Sequence, residues 1–520
     1  MAVTGGGGSP LDMGRRAIAS ARLLGADRLR AARGRLPTGR HFALTWSISD
    51  GYGGMTAALL ARTRAFVRHG GVTVAVLTLD EQADYPAREL ELRERGELID
   101  GMRLLNLWDW LRENRLPGGS LRLERHPFLP LPDGPSDDIT ELRRGDRVLS
   151  RTRWSSDGGR ALQIDHYRLD GSLLASDRRD LDGGGRSIVL CDGGGQPVRS
   201  WGKIWHLYAA WLDRLTARTP SYLIVDSKTV APFVAEYRRP HVTTVHLVHA
   251  SHLVGTERPL GRLRESRRRV FENLSAFDAV AVLSERQRSD VEALLGRQDN
   301  LIVVRNVREG AASTVTVAAS RPVTAGIMLA SLEKRKRVSH AMRAVDTQRA
   351  LAATGSHRPT TLDVFGEGPR RQALEGVIER LGAHEHVRLR GFDPHARERL
   401  ADASFLLLTS TSEGFPLVLA EALAVGCLPI VYDVPYGPAD IIRSGWNGYV
   451  VPPGDVDALA AAIEELVSLP DERIAAMRRN AERSARPFDP AAVTRAWAHD
   501  LRAARRRSRS RARRGSHSTS

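Results

Sequence analysis

The stretch Ser410-Thr411-Ser412-Glu413-Gly414-Phe415-Pro416-Leu417, running on to Glu421, decides how this chain is read. It follows the apolar run Phe405–Leu408, which has the β-branched-poor but wholly apolar look of a buried parallel strand. The pattern beyond it predicts a helix over Pro416–Val425, with proline in the first turn, where its missing N–H costs no helical bond. A strand, a tight glycine-bearing turn and a helix start place free backbone amides where they can receive a diphosphate. Gly414 permits close backbone approach, and Glu413 stands at the mouth of the helix, placed to accept hydrogen bonds from sugar hydroxyls. Glu421 comes eight residues later, about 80° beyond two full turns of an ideal helix. The two carboxylates therefore meet one ligand only if the chain curves between them. A capped amphipathic helix with two solvated glutamates is the plain alternative.

Working outward, Gly326–Ala330, Thr361–Phe365, Val387–Leu389 and Leu428–Tyr432 are further strand candidates separated by helical patterns, and they define a doubly wound domain over 325–487. Its first strand leads into Ala330-Ser331-Leu332-Glu333-Lys334-Arg335-Lys336, a basic loop that could offset a diphosphate or simply be solvated. Upstream, residues 41–310 repeat the same alternation. Phe42–Ser47 precedes the turn Gly51-Tyr52-Gly53-Gly54-Met55-Thr56, a helix to about His69 follows, and Val72–Leu77, Tyr222–Val225, Thr243–Leu247 and Ala279–Leu283 continue the sheet. Between 120 and 200 short segments such as Leu162–Arg168, Leu173–Ser176 and Ser187–Cys191 alternate with Asp/Gly turns, which predicts an antiparallel β insertion. The small residues of 308–324 suit an interdomain linker. His246, His249 and His252 follow a strand whose end faces the cleft; with no further ligand cluster they do not spell a zinc site.

Composition limits the alternatives. The 520 residues are 42% apolar and 27% charged, which suits a multidomain soluble protein. Two distant cysteines, Cys191 and Cys427, do not form a disulfide framework and are expected as free thiols. The net charge of +16 sits at the ends: residues 1–40 carry +6 and residues 501–520 carry +8, leaving +2 for the body. Residues 1–40 are read as a basic extension in which Met13, Ala17, Ala21 and Leu24 recur at helical spacing. Residues 488–500 are read as a helix returning to the first domain, and 501–520 as a disordered arginine-rich tail. These ends would attract an anionic membrane, a phosphate polymer or RNA. No apolar run reaches the roughly 20 residues that span a bilayer, and no secretory signal core is present in the first 40.

Glu413 and Glu421 with Gly414-Phe415-Pro416-Leu417 resemble the paired-glutamate signature of retaining glycosyltransferases of the GT-B fold, glycosyltransferase 4 family. Gly437 and Gly445–Asn447–Gly448 match that family's following run. The resemblance implies two Rossmann-like domains facing a cleft, Glu413 on the donor sugar, Glu421 on the ribose, and the Gly414–Leu417 backbone supporting the donor. It implies Lys336 on the diphosphate. Ser331 stands where the family commonly has arginine, so Arg335 or Lys334 becomes the candidate substitute. Gly53 and Gly54 resemble the family's glycine loop, and His249 its sugar-positioning residue. More narrowly, Tyr52–Thr56, the insertion, Val225-Asp226-Ser227, His246–His249 and Ser284-Glu285-Arg286-Gln287 resemble bacterial wall teichoic acid α-glycosyltransferases over about 41–500. That implies a UDP-sugar donor (UDP-glucose or UDP-N-acetylglucosamine), no metal or other cofactor, and hydroxyls of a poly(glycerol phosphate) or poly(ribitol phosphate) chain as acceptor. It further implies a cytoplasmic enzyme, peripheral at the inner membrane face, and a homo-oligomer joined through the insertion. Two other readings stay open: a UDP-sugar-dependent O-glycosyltransferase acting on Ser/Thr of a bacterial surface protein, and a nonenzymatic nucleic-acid-binding protein acting through its arginine-rich ends.

Overall fold

The computed structural model describes residues 25, 27–81, 84–120, 128–179, 185–255, 257–308, 323–353 and 358–517. The expected helix around Met13–Leu24 and most of the 308–324 linker lie outside these residues. Strands β1 (Arg40–Leu44), β2 (Val74–Thr78) and β3 (Met102–Asn106) open the first domain. The chain then leaves through β4 (Ile139–Arg144), β5 (Arg147–Trp154), β6 (Ala161–Tyr167), β7 (Leu173–Arg179), β8 (Arg186–Cys191) and β9 (Pro197–Trp201). It returns as β10 (Ser221–Val225), β11 (Val242–Leu247), β12 (Ala279–Val282) and β13 (Leu301–Val303). The first domain is a parallel sheet in the order β13-β12-β11-β10-β1-β2-β3. Every residue of β10, β11 and β12 is buried, as expected where helices cover both faces and the sequence has no polar alternation. The second domain contributes β14 (Ala325–Leu329), β15 (Thr361–Phe365), β16 (Val387–Gly391), β17 (Phe405–Leu408), β18 (Leu428–Tyr432) and β19 (Tyr449–Val451), parallel in the order β16-β15-β14-β17-β18-β19.

The insertion is a six-stranded antiparallel meander in sequential order. Its Gly145, Gly158, Gly171 and Gly195 take positive φ at the turns that sequence marked with Asp/Gly pairs. One face of this sheet joins the first domain: Leu174, Ala175, Ile188, Leu190 and Trp201 share a core with Trp108, Leu207 and Trp211. His166 of β6 is fully buried and stacks on Trp108, ring centroids 3.6 Å apart. Burial holds this imidazole well below its ordinary pKa, so it is neutral. Cys191 and Cys427 are buried free thiols.

The carboxyl-terminal end differs from expectation. The arginine-rich run after 500 continues one helix, Pro490–His517, instead of beginning a disordered tail. Trp497 is buried edge-on to Phe66, and the Arg62 guanidinium lies 5.6 Å over its ring. Farther along, Arg505 donates to the Tyr222 hydroxyl (2.8 Å), Arg507 to the Asp278 carbonyl (2.9 Å) and Arg511 to the Ser275 carbonyl (2.8 Å). Three arginines of the run thus find a hydroxyl and carbonyls on the first domain, which composition does not reveal, while arginine's good helix propensity favours the helical backbone. At the other end, the described part of the 1–40 extension is also joined to the body. Leu36 is fully buried, and Arg30 donates to the carbonyls of Leu36, Gly70 and Gly71 at 2.8 Å each.

Candidate functional site

The carboxyl ends of both parallel sheets meet across one cleft, where open α/β sheets place their ligands. After β17 the chain runs through Thr409–Pro416 before the helix Leu417–Ala424 begins, one residue later than the sequence pattern suggested. Glu413 therefore belongs to the irregular turn and Glu421 to the helix's second turn, which supplies the curvature that an ideal helix lacks. Two backbone bonds hold Glu413 against the loop after β18: its N–H donates to the Pro435 carbonyl (2.8 Å), and its carbonyl accepts from Tyr436 N–H (2.7 Å).

Lys336 reaches the same turn from the loop after β14. Its Nζ lies 2.6 Å from Glu413 Oε1, and both side chains are nearly buried. The loop is fixed from beneath, because Thr409 Oγ1 donates to the Lys336 carbonyl (2.8 Å) and Thr411 N–H to the Arg335 carbonyl (2.8 Å). Gly366, at φ 145°, passes so close that a Cβ there would sit 2.0 Å from the Ala330 carbonyl oxygen. Arg335 ion-pairs with Glu333 (3.0 Å), with a guanidinium nitrogen 3.8 Å from Glu413 Oε1, whereas Ser331 offers only a half-buried hydroxyl to this region. A cavity of about 520 Å³ beside the loop is lined by Lys334, Arg335, Arg337 and Arg370 against the single carboxylate of Glu333, a net basic surface suited to anionic groups.

Glu421 is 7% exposed, and among the described residues its Oε1 accepts no hydrogen bond, although Arg397 Nε lies 3.3 Å away. Burial raises its pKa, against the opposing charge of Arg397. Such a carboxylate is stabilised when a hydroxyl donor reaches it. Phe415 takes a structural place: its ring packs on Phe488, centroids 5.1 Å apart, at the base of the terminal helix. Pro416 and Gly437 touch, since a Cβ on Gly437 would meet Pro416 Cδ at 2.9 Å. Leu417 is the first residue of the helix and is half-buried.

From the first domain, His249 follows β11 and its Nε2 lies 2.7 Å from Asp226 Oδ1. Asp226, at the end of β10, is also clasped by both terminal nitrogens of Arg62, at 2.8 and 2.7 Å. Burial alone would raise the Asp226 pKa; Arg62 and then His249 outweigh it and hold the group down at about 2. The ionised Asp226 thus takes the Nε2–H of His249 and orients the ring, with Nδ1 on the side away from Asp226. The other two histidines are occupied elsewhere: His246 Nδ1 is 3.0 Å from the Val225 carbonyl, and His252 is stacked between Phe271 and Tyr436. Among the described residues no group of three His, Cys, Asp or Glu is placed to hold a metal ion.

Gly53 caps and Gly54 starts the Gly54–Gly70 helix at the end of β1. Both are exposed, and an added Cβ would meet no protein atom within 4 Å, so packing within the chain does not demand these glycines. The demand at Gly414 is severe. A Cβ there would sit 1.8 Å from the His249 carbonyl oxygen and 2.9 Å from Ala250 Cα, so the two halves of the site touch backbone to backbone at this residue. Sequence reading singled out His249, Glu413, Lys336 and Glu421 but not Arg62, Arg397 or Tyr436; only the position of Asp226 at a strand's carboxyl end carried a signal beforehand.

Two Rossmann-like domains, a cleft between them and a lysine–glutamate pair at a helix mouth define a protein of the GT-B class. Residues 325–484 match the family described as glycosyl transferases group 1. The chain has the GT-B fold, and its second domain matches that family's model. It is 34% identical over 250 residues to an exopolysaccharide phosphotransferase of Streptomyces coelicolor, covering 47% of this chain and 24% of the relative. It is 24% identical over 262 residues to the poly(glycerol-phosphate) alpha-glucosyltransferase of Bacillus subtilis, covering 49% and 37%. These matches span about a quarter to two-fifths of the length of those relatives. The crystal structure of TarM superposes with a TM-score of 0.72 at 16% identity, over 89% of this chain and 99% of that one, a likeness of fold. No helix among the described residues is long and apolar enough to cross a membrane.

Proposed function

We propose that the chain transfers a sugar, glucose or N-acetylglucosamine, from a UDP-sugar to hydroxyls of a poly(glycerol phosphate) or poly(ribitol phosphate) chain, with retention of configuration and without a metal. The observation that carries this reading is the contact at Gly414, which brings the Lys336–Glu413 pair of one domain against the Asp226–His249 pair of the other. Lys336 and the amides at the start of the Leu417–Ala424 helix are placed to stabilise a departing diphosphate, in a cleft that excludes water. Glu413 accepts from donor-sugar hydroxyls, Glu421 from the ribose, and His249 Nδ1 accepts from the sugar held against the first domain. Arg335 supplies the second cation on the phosphate side in place of Ser331. The B. subtilis relative, whose name states a poly(glycerol-phosphate) acceptor, supports the acceptor class, and the basic flanks favour a polyanion. The same flanks would hold the enzyme at the inner membrane face, and the insertion would join copies of the chain.

The test presents labelled UDP-sugars with poly(glycerol phosphate), poly(ribitol phosphate) and a serine-rich protein, and reads product linkage by NMR. Label in a polyol phosphate with an α-linkage is the expected result. A β-linked product refutes retention, and label confined to the protein moves the acceptor to Ser/Thr.

A further inference from the structure

The segment Ser284-Glu285-Arg286-Gln287 has no part in the chemistry above, yet it sits where the two domains meet. Ser284 caps the helix Glu285–Leu295 of the first domain, its hydroxyl accepting from Gln287 N–H at 3.0 Å. Four groups of this helix face outward to other parts of the site. Gln287 Nε2 donates to the Ala250 carbonyl (3.1 Å), next to His249. The Arg286 guanidinium ion-pairs with Asp433 of the second domain, and its backbone N–H donates to Asp440 Oδ1 at 3.0 Å. Asp290, one turn on, accepts from the Tyr436 hydroxyl at 2.7 Å.

Tyr436 is a second-domain residue buried among first-domain side chains, and its own exposure is zero. Its ring stacks on His252 (5.8 Å, interplanar 7°), the Arg258 guanidinium lies 5.4 Å over it, and Arg258 Nη2 also donates to Asp290 Oδ1 at 2.8 Å. Burial pushes the His252 pKa down to about 4, so the ring beneath Tyr436 is a neutral stacking partner. The peptide group joining Pro435 to Tyr436, immediately before this plug, makes both hydrogen bonds that hold Glu413. One rigid path therefore runs from the His249–Ala250 backbone through Gln287 and Asp290 to Tyr436, and from there to Glu413.

We propose that Tyr436, docked in the His252–Arg258–Asp290 pocket, is a positioning residue that registers Glu413 on His249 when the domains meet. This rests on the transferase reading above. The Tyr436 side chain touches none of the groups assigned to the donor, and its backbone bond to Glu413 survives a side-chain change, so removing the hydroxyl or ring acts on alignment across the cleft and leaves donor capture to Lys336, Glu413 and Glu421.

The test uses the full chain with Tyr436→Phe, Asp290→Asn, the double variant and Tyr436→Ala. Measurements are kcat in the transfer assay, UDP affinity by calorimetry, melting temperature, and the radius of gyration by solution scattering. Tyr436→Phe loses a hydrogen bond to a charged group and keeps the ring; kcat should fall on the order of tenfold while UDP affinity changes by less than about twofold. Asp290→Asn also removes the charge that pairs with Arg258, so the double variant should cost little more than Asp290→Asn alone, because the Tyr436 hydroxyl bond is then already lost. Tyr436→Ala should enlarge the radius of gyration as the domains part. Fold-losses in kcat that multiply in the double variant, or a UDP affinity that falls in step with kcat, would overturn the proposal. So would an unchanged radius of gyration in a folded Tyr436→Ala chain. The scattering result does not depend on turnover: a wild-type chain that transfers no sugar sinks the transferase reading, while the docking of Tyr436 is still judged by the size of its alanine variant.

Discussion

Replacing Gly414 with alanine tests whether the two halves of the site work only when in contact. The added methyl would lie 1.8 Å from the His249 carbonyl oxygen, 2.5 Å from its carbon and 2.9 Å from Ala250 Cα, all main-chain atoms that cannot rotate away. Relief requires the second domain to withdraw by more than about 1 Å, since carbon and oxygen settle beyond 3 Å. The core within each domain is undisturbed, but the cluster joining Phe415 and Ala420 to Leu247 and Leu283 loosens, so the chain should stay folded with a melting temperature lowered by a few degrees. Lys336, Glu413 and Glu421 all belong to the second domain and keep their mutual geometry, so UDP affinity should change by less than about threefold. Alignment with His249 and Asp226 is lost, and a misplacement of about 1 Å costs on the order of 10²-fold in turnover. At room temperature that is about 2.7 kcal/mol of transition-state free energy. The assay is UDP release with saturating donor and acceptor, paired with UDP calorimetry on the same preparation. A Gly414→Ala protein with kcat within threefold of wild type would refute the claim that this contact aligns the site.

Other outcomes follow from single groups. Lys336→Ala should lower both donor affinity and kcat, the latter by about 10²-fold, because the cation beside Glu413 is removed from a site with little solvent; near-normal values for both in a steady-state assay would exclude Lys336 from the diphosphate. Asp226→Asn should cost roughly 3–5 kcal/mol in urea unfolding, since it strands the buried Arg62 guanidinium and disturbs the His249 tautomer; a loss below 1 kcal/mol would show that the pair is dispensable. Burial depresses the pKa of His41, His246 and His252 from the ordinary 6.5 to about 4 in each case. The unfolded chain therefore binds protons that the fold refuses, and stability should drop as pH falls from about 6.5 towards 4. A urea midpoint that stays flat across that window would contradict the burial of these rings.

Much of this was legible beforehand because it rests on local regularities. The wholly apolar runs at Phe405–Leu408 and Tyr222–Val225, bounded by turn residues, fit strands covered on both faces, and the Asp/Gly turns between short segments fit an antiparallel insertion. The terminal arginines were misread for a physical reason. Charge density argues against folding when the chain is considered alone, but Arg505, Arg507 and Arg511 find a hydroxyl and carbonyls on the first domain. Glu421 was visible as a residue, whereas its burial, and the Arg397 that faces it, were not.

By itself the sequence determined that Glu413 lies at a helix mouth after a buried strand, that a basic loop follows the first strand of the same domain, and that a histidine follows a strand of the other. These are facts of periodicity and turn chemistry, set within a dozen residues. Only the tertiary structure decided that Lys336 lies on Glu413, that Asp226 holds His249, and that Gly414 rests on the His249 backbone. Tyr436 closing on Asp290, 146 positions away, belongs with them. Each of these pairs spans a sequence separation at which no local preference acts, and they meet only because two sheets turn their carboxyl ends towards one cleft and the terminal helix packs back on the first domain.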